Sequence, residues 1–420
     1  MSVVVDRVNI GIFGKMNAGK SSVMNLLTQQ ETSIVDSTPG TTADTKIALF
    51  ELHGFGPVRI FDTAGIDESG ELGQKKRKKV LNDLKECDLL LLVIDPSASD
   101  FTSERELIEE AREMDKQILI IYNIFNKHDE QKIELIEDSI NLLKFHKKIR
   151  IRANDFSFRA ELLQFILNNF QHLKSDIPLL PAVKRDRFYI LIIPMDEETP
   201  PGRFLRPQSM VEEYITRHWA YPVSFRLDLS AARGDLHDFE KKRFFNMLNG
   251  LGQRPACIIT DSQAMDIMSS WCPEDIDLTT FSIVMINYMS GGKLASFVEG
   301  IKALSDLKPG DSILIAEACN HSRIGEDIGT VQIPSIIQKK FPGVNVEHNF
   351  GREFQDNKNL TKYSLIIHCG GCMISRQKMM ARIRDLDSVG IPYTNYGIFL
   401  SAMQGLNALQ KVLRPWGIRL

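Results

Sequence analysis

Short apolar runs alternate with polar or amphipathic stretches along most of the chain. In the first part, residues 3–13, 59–61, 88–94 and 117–122 are strand-like, and helical periodicity occupies 23–27, 131–145 and 159–173. Strands separated by helices predict a mostly parallel sheet wrapped by helices. Residues 175–181 contain Pro178 and Pro181 among polar neighbours and read as a linker. Beyond it the pattern predicts a small α/β unit, with strands at 188–193, 222–228 and 256–260 and helices at 207–218 and 238–251. From about Met289 the alternation resumes, with helices at 290–307, 333–341, 377–389 and 398–413 and strands at 311–316 and 363–367. The fold class expected is α/β in three domains: 1–174, 175–285 and 286–420.

Chemistry-bearing residues fall at the carboxyl ends of the strands, where such sheets bind ligands. Gly14 to Ser21 reads G-x-x-x-x-G-K-S between a strand and a helix. This loop turns its amides inward at a helix N-terminus and so cradles phosphates. Gly14, Asn17, Ala18, Gly19, Lys20, Ser21 and Ser22 are therefore expected to bind nucleotide, with Lys20 reaching the β/γ-phosphates and Ser21 holding Mg²⁺. Asp62-Thr63-Ala64-Gly65 follows the second strand, Asp62 placed for a Mg²⁺ contact and Gly65 for close approach to a γ-phosphate. Thr41 and Thr42 lie in a loop that would order around the γ-phosphate and Mg²⁺. Asn126-Lys127-His128-Asp129 supplies a carboxylate for the guanine N1–H and 2-amino pair, which adenine lacks, with Asn126 supporting the loop and Lys127 over the ring. The motifs together predict GTP binding. Ala153-Asn154 is a weaker candidate for a last base contact.

A net charge of −3 gives no basic field for nucleic acid or a membrane surface, and neither is expected as a partner. With no long apolar run and no signal-peptide pattern, a cytoplasmic location is expected. The basic cluster Lys75 to Lys79 reads as a solvated helix face.

Six cysteines in a chain of this length argue for ligation or burial rather than disulfides. His218, Cys257 and Cys272 read as structural. Cys319-Asn-His321 and His368-Cys369-Gly-Gly-Cys372 each follow a predicted strand, and the paired glycines permit a loop that aims two sulfurs at one centre. Residue chemistry alone leaves three readings open: an iron–sulfur cluster, a zinc site closed by His321 or His368, and a redox pair.

The first-part motifs resemble the GTPase branch containing Era and MnmE. That resemblance implies a K⁺ ligand at Asn17, a Mg²⁺-binding Thr42, and slow, cation-dependent hydrolysis, since Ile66 stands where Ras-type proteins carry a catalytic Gln. The whole arrangement, ending in C-x-H and H-C-x-x-C, resembles the FeFe-hydrogenase maturation GTPases of the HydF family. The resemblance implies a 4Fe-4S cluster on Cys319, Cys369 and Cys372, with a fourth, exchangeable position for which Glu326, His321 and His368 are the candidate ligands or outer neighbours. It further implies a GTPase that assembles or carries a diiron precursor, receives components from the radical-SAM maturases HydE and HydG, and delivers to apo-hydrogenase; the short middle sheet separately leaves an edge that pairing in a homodimer would cover. The alternatives are an RNA-associated GTPase like Era or MnmE, and a zinc-stabilised GTPase with a partner-binding C-terminal domain.

Overall fold

A computed structural model describes residues 7–28, 46–52, 56–63, 65–66, 70–170, 177–194, 204–318, 327–351, 354 and 357–420. The chain forms two compact units, Met1–Lys174 and Ser175–Leu420.

The first unit is built on a six-stranded sheet in the order β2-β3-β1-β4-β5-β6. Its strands are β1 Val8–Phe13, β2 Lys46–Leu52, β3 Gly56–Asp62, β4 Leu89–Ile94, β5 Gln117–Asn123 and β6 Lys147–Ile151. All pairings are parallel except β2 with β3. β1 and β4 are buried along their whole length, which is why they read as unbroken apolar runs. Two apolar clusters cover the two faces, one around Ile10, Ile12 and Leu91 and the other around Phe13, Leu90 and Leu92. β2 and β6 were not foreseen. β2 is an edge strand of mixed burial, and β6 reads Lys-Lys-Ile-Arg-Ile with outward-facing charges, so neither has the apolar continuity of the centre. The helix expected over 131–145 is broken into a short helix, Ile133–Ser139, between 3₁₀ turns.

The second unit holds two four-stranded parallel sheets. One runs β10-β9-β7-β8, with β7 Phe188–Ile193, β8 Tyr221–Arg226, β9 Cys257–Thr260 and β10 Asp277–Thr280. The other runs β12-β11-β13-β14, with β11 Ser312–Glu317, β12 Asn345–Phe350, β13 Leu365–His368 and β14 Tyr393–Asn395. β10 and β14 are too short to stand out as strands in the sequence.

The two sheets share one core. Ile190 and Ile192 of β7, Trp271, Phe297, Ile313 to Ala316 of β11 and Phe399 belong to a single apolar cluster. The helix Phe281–Met289 is the joint. Phe281 and Val284 pack with Leu191 and Ile193, while Ile283, Met285 and Ile286 pack in the larger cluster shared with the third sheet. A helix apolar all round is one buried on all sides. Residues 285 and 286, either side of the boundary expected from sequence, both lie inside it. The helix expected over 398–413 is two helices, Tyr396–Met403 and Leu406–Leu413, parted at Gly405 with φ +108°.

Candidate functional site

In the first unit the phosphate loop leaves β1 and enters the helix Lys20–Thr28. Lys20 is buried, and its Nζ donates to the carbonyls of Gly14 (3.1 Å) and Lys15 (2.7 Å), curling the loop around the space a phosphate would take. Ser21 Oγ donates to Asp62 Oδ2 at 2.6 Å, so the two expected Mg²⁺ ligands already meet. Asp62 Oδ1 is buried with no hydrogen-bond partner among the described residues. Burial raises the Asp62 pKa, opposed by the Ser21 hydrogen bond and the Lys20 charge. A buried carboxylate with one oxygen open, beside a hydroxyl, fits a divalent cation. Asn17 is exposed with φ +64°, and Ile66 is half-buried against the apolar cluster around Phe13. Lys15 reaches Asp100 and the buried Glu104 (3.5 Å), tying the loop to the helix Thr102–Glu113.

Asp129 is covered, and its Oδ1 accepts from Lys132 at 3.1 Å; the Lys132 hydrogen bond, foremost among the causes, holds its pKa below the ordinary carboxylate range. Oδ2 is buried and has no partner among the described residues, leaving an acceptor open. Asn126, expected to support the loop and base, is exposed and hydrogen-bonds to Asp129. The tether between loops belongs instead to Asn123, at the end of β5. Its Nδ2 donates to the Ala18 carbonyl and its Oδ1 accepts from the Ala153 amide, both at 3.0 Å, and it is 2% exposed. The sequence offered one signal for it, a polar residue ending an otherwise apolar strand. Thr41 and Thr42 lie outside the described residues, as does the Lys127 side chain.

In the second unit β11 and β13 pair in register, Ala316 against His368, so both cysteine segments leave the sheet side by side. Cys369 is buried, and its Sγ accepts the amide N–H of Ala318 (3.2 Å) and of Gly371 (3.4 Å). Ala318 is the last described residue before Cys319; Cys319, His321 and Glu326 lie outside the described residues. Two backbone N–H groups thus converge on one sulfur. Cys87, Cys257 and Cys272 each sit in an apolar cluster. Burial pushes the Cys87 and Cys272 thiols up to about 12 and raises Cys257 well above its ordinary value. Neutral, buried thiols are poor ligands. His218, exposed, bonds the Tyr214 carbonyl at 2.7 Å and stacks on that ring.

Cys369 and Cys372 border a cavity of about 160 Å³. It opens at the carboxyl ends of strands from both sheets: Ser262 follows β9, Ser282 follows β10, Glu317 ends β11 and Tyr396 follows β14. The Ser262 hydroxyl is buried with no hydrogen-bond partner among the described residues, and the buried Tyr396 hydroxyl stands beside Glu317. Sulfur at one end and hydroxyls on the walls suit a compact polar ligand.

Three family models match along the chain. A 50S ribosome-binding GTPase model covers residues 9–124, a Hydrogen maturase F dimerization domain covers 179–290, and a Hydrogen maturase F tetramerization domain covers 295–415. The chain belongs to the hydrogen maturase F family. Its first unit is a P-loop GTPase domain. Curated relatives match part of the chain. The tRNA modification GTPase MnmE of Natranaerobius thermophilus is 33% identical over 152 residues, 36% of this chain and 32% of that protein. GTPase Der of Nitratiruptor sp. is 32% identical over 125 residues, 30% of this chain and 27% of that protein. The chain thus spans about a third of the length of the curated relatives it matches. Among solved structures, Era of Aquifex aeolicus aligns with a TM-score of 0.34 and 17% identity, over 56% of this chain and 98% of that one. Among the described residues no helix is long and apolar enough to cross a membrane.

Proposed function

We propose that the protein is a GTP-hydrolysing scaffold that holds a 4Fe-4S cluster on Cys319, Cys369 and Cys372 and carries a diiron precursor to apo-FeFe-hydrogenase. The radical-SAM maturases HydE and HydG would supply the components, in the cytoplasm, and the protein would act as an oligomer. The observation that supports this most is the Cys369 sulfur: it accepts an N–H from the residue before Cys319, beside a cavity lined with hydroxyls. When bound, the cluster would supply an iron with one exchangeable position, for which Glu326 and His321 are the candidate ligands on this chain and His368 the outer neighbour. The chain's part is to hold three sulfurs, leave the cavity free, and offer the Ser262 and Tyr396 hydroxyls to what enters.

Anaerobic reconstitution with iron and sulfide tests this reading. The expected product is brown, shows a 4Fe-4S signal by EPR after reduction, and activates apo-hydrogenase once loaded with precursor. A colourless protein holding one zinc would overturn it.

The same proposal assigns guanine recognition to Asp129 and a K⁺ contact to Asn17. Asp129→Asn is expected to move base preference from guanine toward xanthine, because the amide donates where the carboxylate accepted. Competition between GTP and XTP reads the change, and retained GTP preference would remove the role. Replacing K⁺ by Na⁺ should slow wild-type hydrolysis; equal rates would remove the Asn17 contact.

A further inference from the structure

The loop His368 to Cys372 is gripped by two arginines, one from each half of the second unit. Arg382, on the helix Arg376–Val389, is 3% exposed. Its Nη1 lies 3.0 Å from His368 Nε2, its Nη2 donates to the Gly351 carbonyl at 2.9 Å, and its guanidinium lies over the Phe354 ring. A guanidinium only donates, so His368 Nε2 must be the acceptor and carry no proton. The ring's remaining proton is then on Nδ1, which lies 2.7 Å from the Cys369 carbonyl and donates to it. Both ring nitrogens of His368, itself 1% exposed, are thereby committed. On the other side Arg206, opening the helix Arg206–Arg217, donates from Nη1 to the Cys372 carbonyl at 2.6 Å. Asn395 completes the grip, donating to the His368 carbonyl at 3.2 Å.

We propose that Arg382 and Arg206 are the positioning residues of the sulfur loop: Arg382 acts through His368 on the Cys369 carbonyl, Arg206 acts directly on the Cys372 carbonyl, and His368 orients the loop without binding metal. The two carbonyls belong to the two residues whose sulfurs must stand at a fixed separation. A rigid guanidinium fork sets a carbonyl's direction in a way a flexible ammonium cannot. Each also brings a cation to the loop, and outer-shell donors and charges of this kind set a bound cluster's potential and ligand orientation. The arrangement gives the two sheets a reason to share one core, since the loop follows a strand of one and is held by a helix of the other. The statement about the metal rests on the cluster reading above; the statement about His368 does not.

Two measurements separate them. In metal-free protein labelled with ¹⁵N-histidine, His368 is expected as the single Nδ1–H tautomer, with Nε2 unprotonated. Arg382→Gln, which keeps only a weaker neutral donor, should lose that purity, and Arg382→Lys should restore it in part. A wild-type spectrum showing Nε2–H, or a mixture unchanged by either variant, would overturn the Arg382 role whatever the metal. In reconstituted protein, pulsed EPR is expected to find no nitrogen directly bound to the cluster. In the cluster that Arg206→Gln and Arg382→Gln still take up, the midpoint potential should shift downward. His368→Asn, whose amide can still donate to the Cys369 carbonyl, should hold the cluster better than His368→Gln. A strong nitrogen coupling that vanishes in His368→Asn, or potentials identical to wild type in both arginine variants, would overturn the assignment. Should an arginine variant fail to fold, the wild-type tautomer and nitrogen measurements still decide. Failure of the wild type to take up any cluster would instead sink the reading above and leave the tautomer result standing.

Discussion

Alanine at Gly19 is expected to weaken nucleotide binding roughly a hundredfold. Gly19 has φ +96°, a conformation that costs a residue with a Cβ about 1–2 kcal/mol. The new methyl would lie 2.1 Å from Asn123 Nδ2, so the Asn123 side chain must leave. Its departure frees the Ala18 carbonyl and the Ala153 amide, buried groups whose loss of partner costs about 1–3 kcal/mol. The free chain can relieve this strain by opening the loop; a nucleotide must close it again. A penalty of about 3 kcal/mol is roughly a hundredfold in affinity. Titration with a fluorescent GDP analogue measures it. Asn123→Ala should show a smaller loss, since it removes the tether without the methyl. Wild-type affinity in both variants would mean the Asn123 bridge does not hold the loop.

The second large effect is expected at Cys369. Cys369→Ala deletes the sulfur that accepts from Ala318 and Gly371, and iron content after anaerobic reconstitution should fall to background. The fold should survive. N–H···S bonds are weak, and the loop keeps its grips at the carbonyls of His368, Cys369 and Cys372. Circular dichroism and nucleotide affinity in the same preparation check folding, so missing iron can be told from a missing protein. Cys257→Ala is the matched comparison. That thiol is buried in the core with its pKa raised, and its loss should leave iron content at the wild-type level. Full iron content and an intact 4Fe-4S signal in Cys369→Ala would remove the sulfur from the proposed site.

How much could be read in advance followed from how local each signal was. The phosphate loop was legible because it is a short run at fixed spacing between a strand and a helix, whereas the cysteine segments, equally local, left the kind of site open. Central strands were legible for a similar reason: β1, β4 and β5 are buried almost throughout, so nearly every position is apolar. The missed strands carry no such mark. β2 and β6 mix exposed with buried positions, β12 is never fully buried, and β10 and β14 are too short. Asn123 was passed over for Asn126, three residues on, because spacing favoured the familiar tetrapeptide. The choice depends on where β5 stops, and only the finished sheet sets that.

By itself, then, the sequence determined an α/β protein with a phosphate-binding loop in its first part and a cysteine signature in its last. Both follow from covalent neighbours: a glycine run next to a lysine, two cysteines either side of two glycines. Tertiary structure alone decided what surrounds these groups. It chose Asn123 as the tether, merged the two later sheets around the helix Phe281–Met289, and brought Arg382 and Arg206 onto the same loop. The reason is distance along the chain. Arg206 lies 166 residues from the carbonyl it holds. No periodicity or local spacing encodes such a contact; it exists only once apolar burial has folded both halves onto a common core.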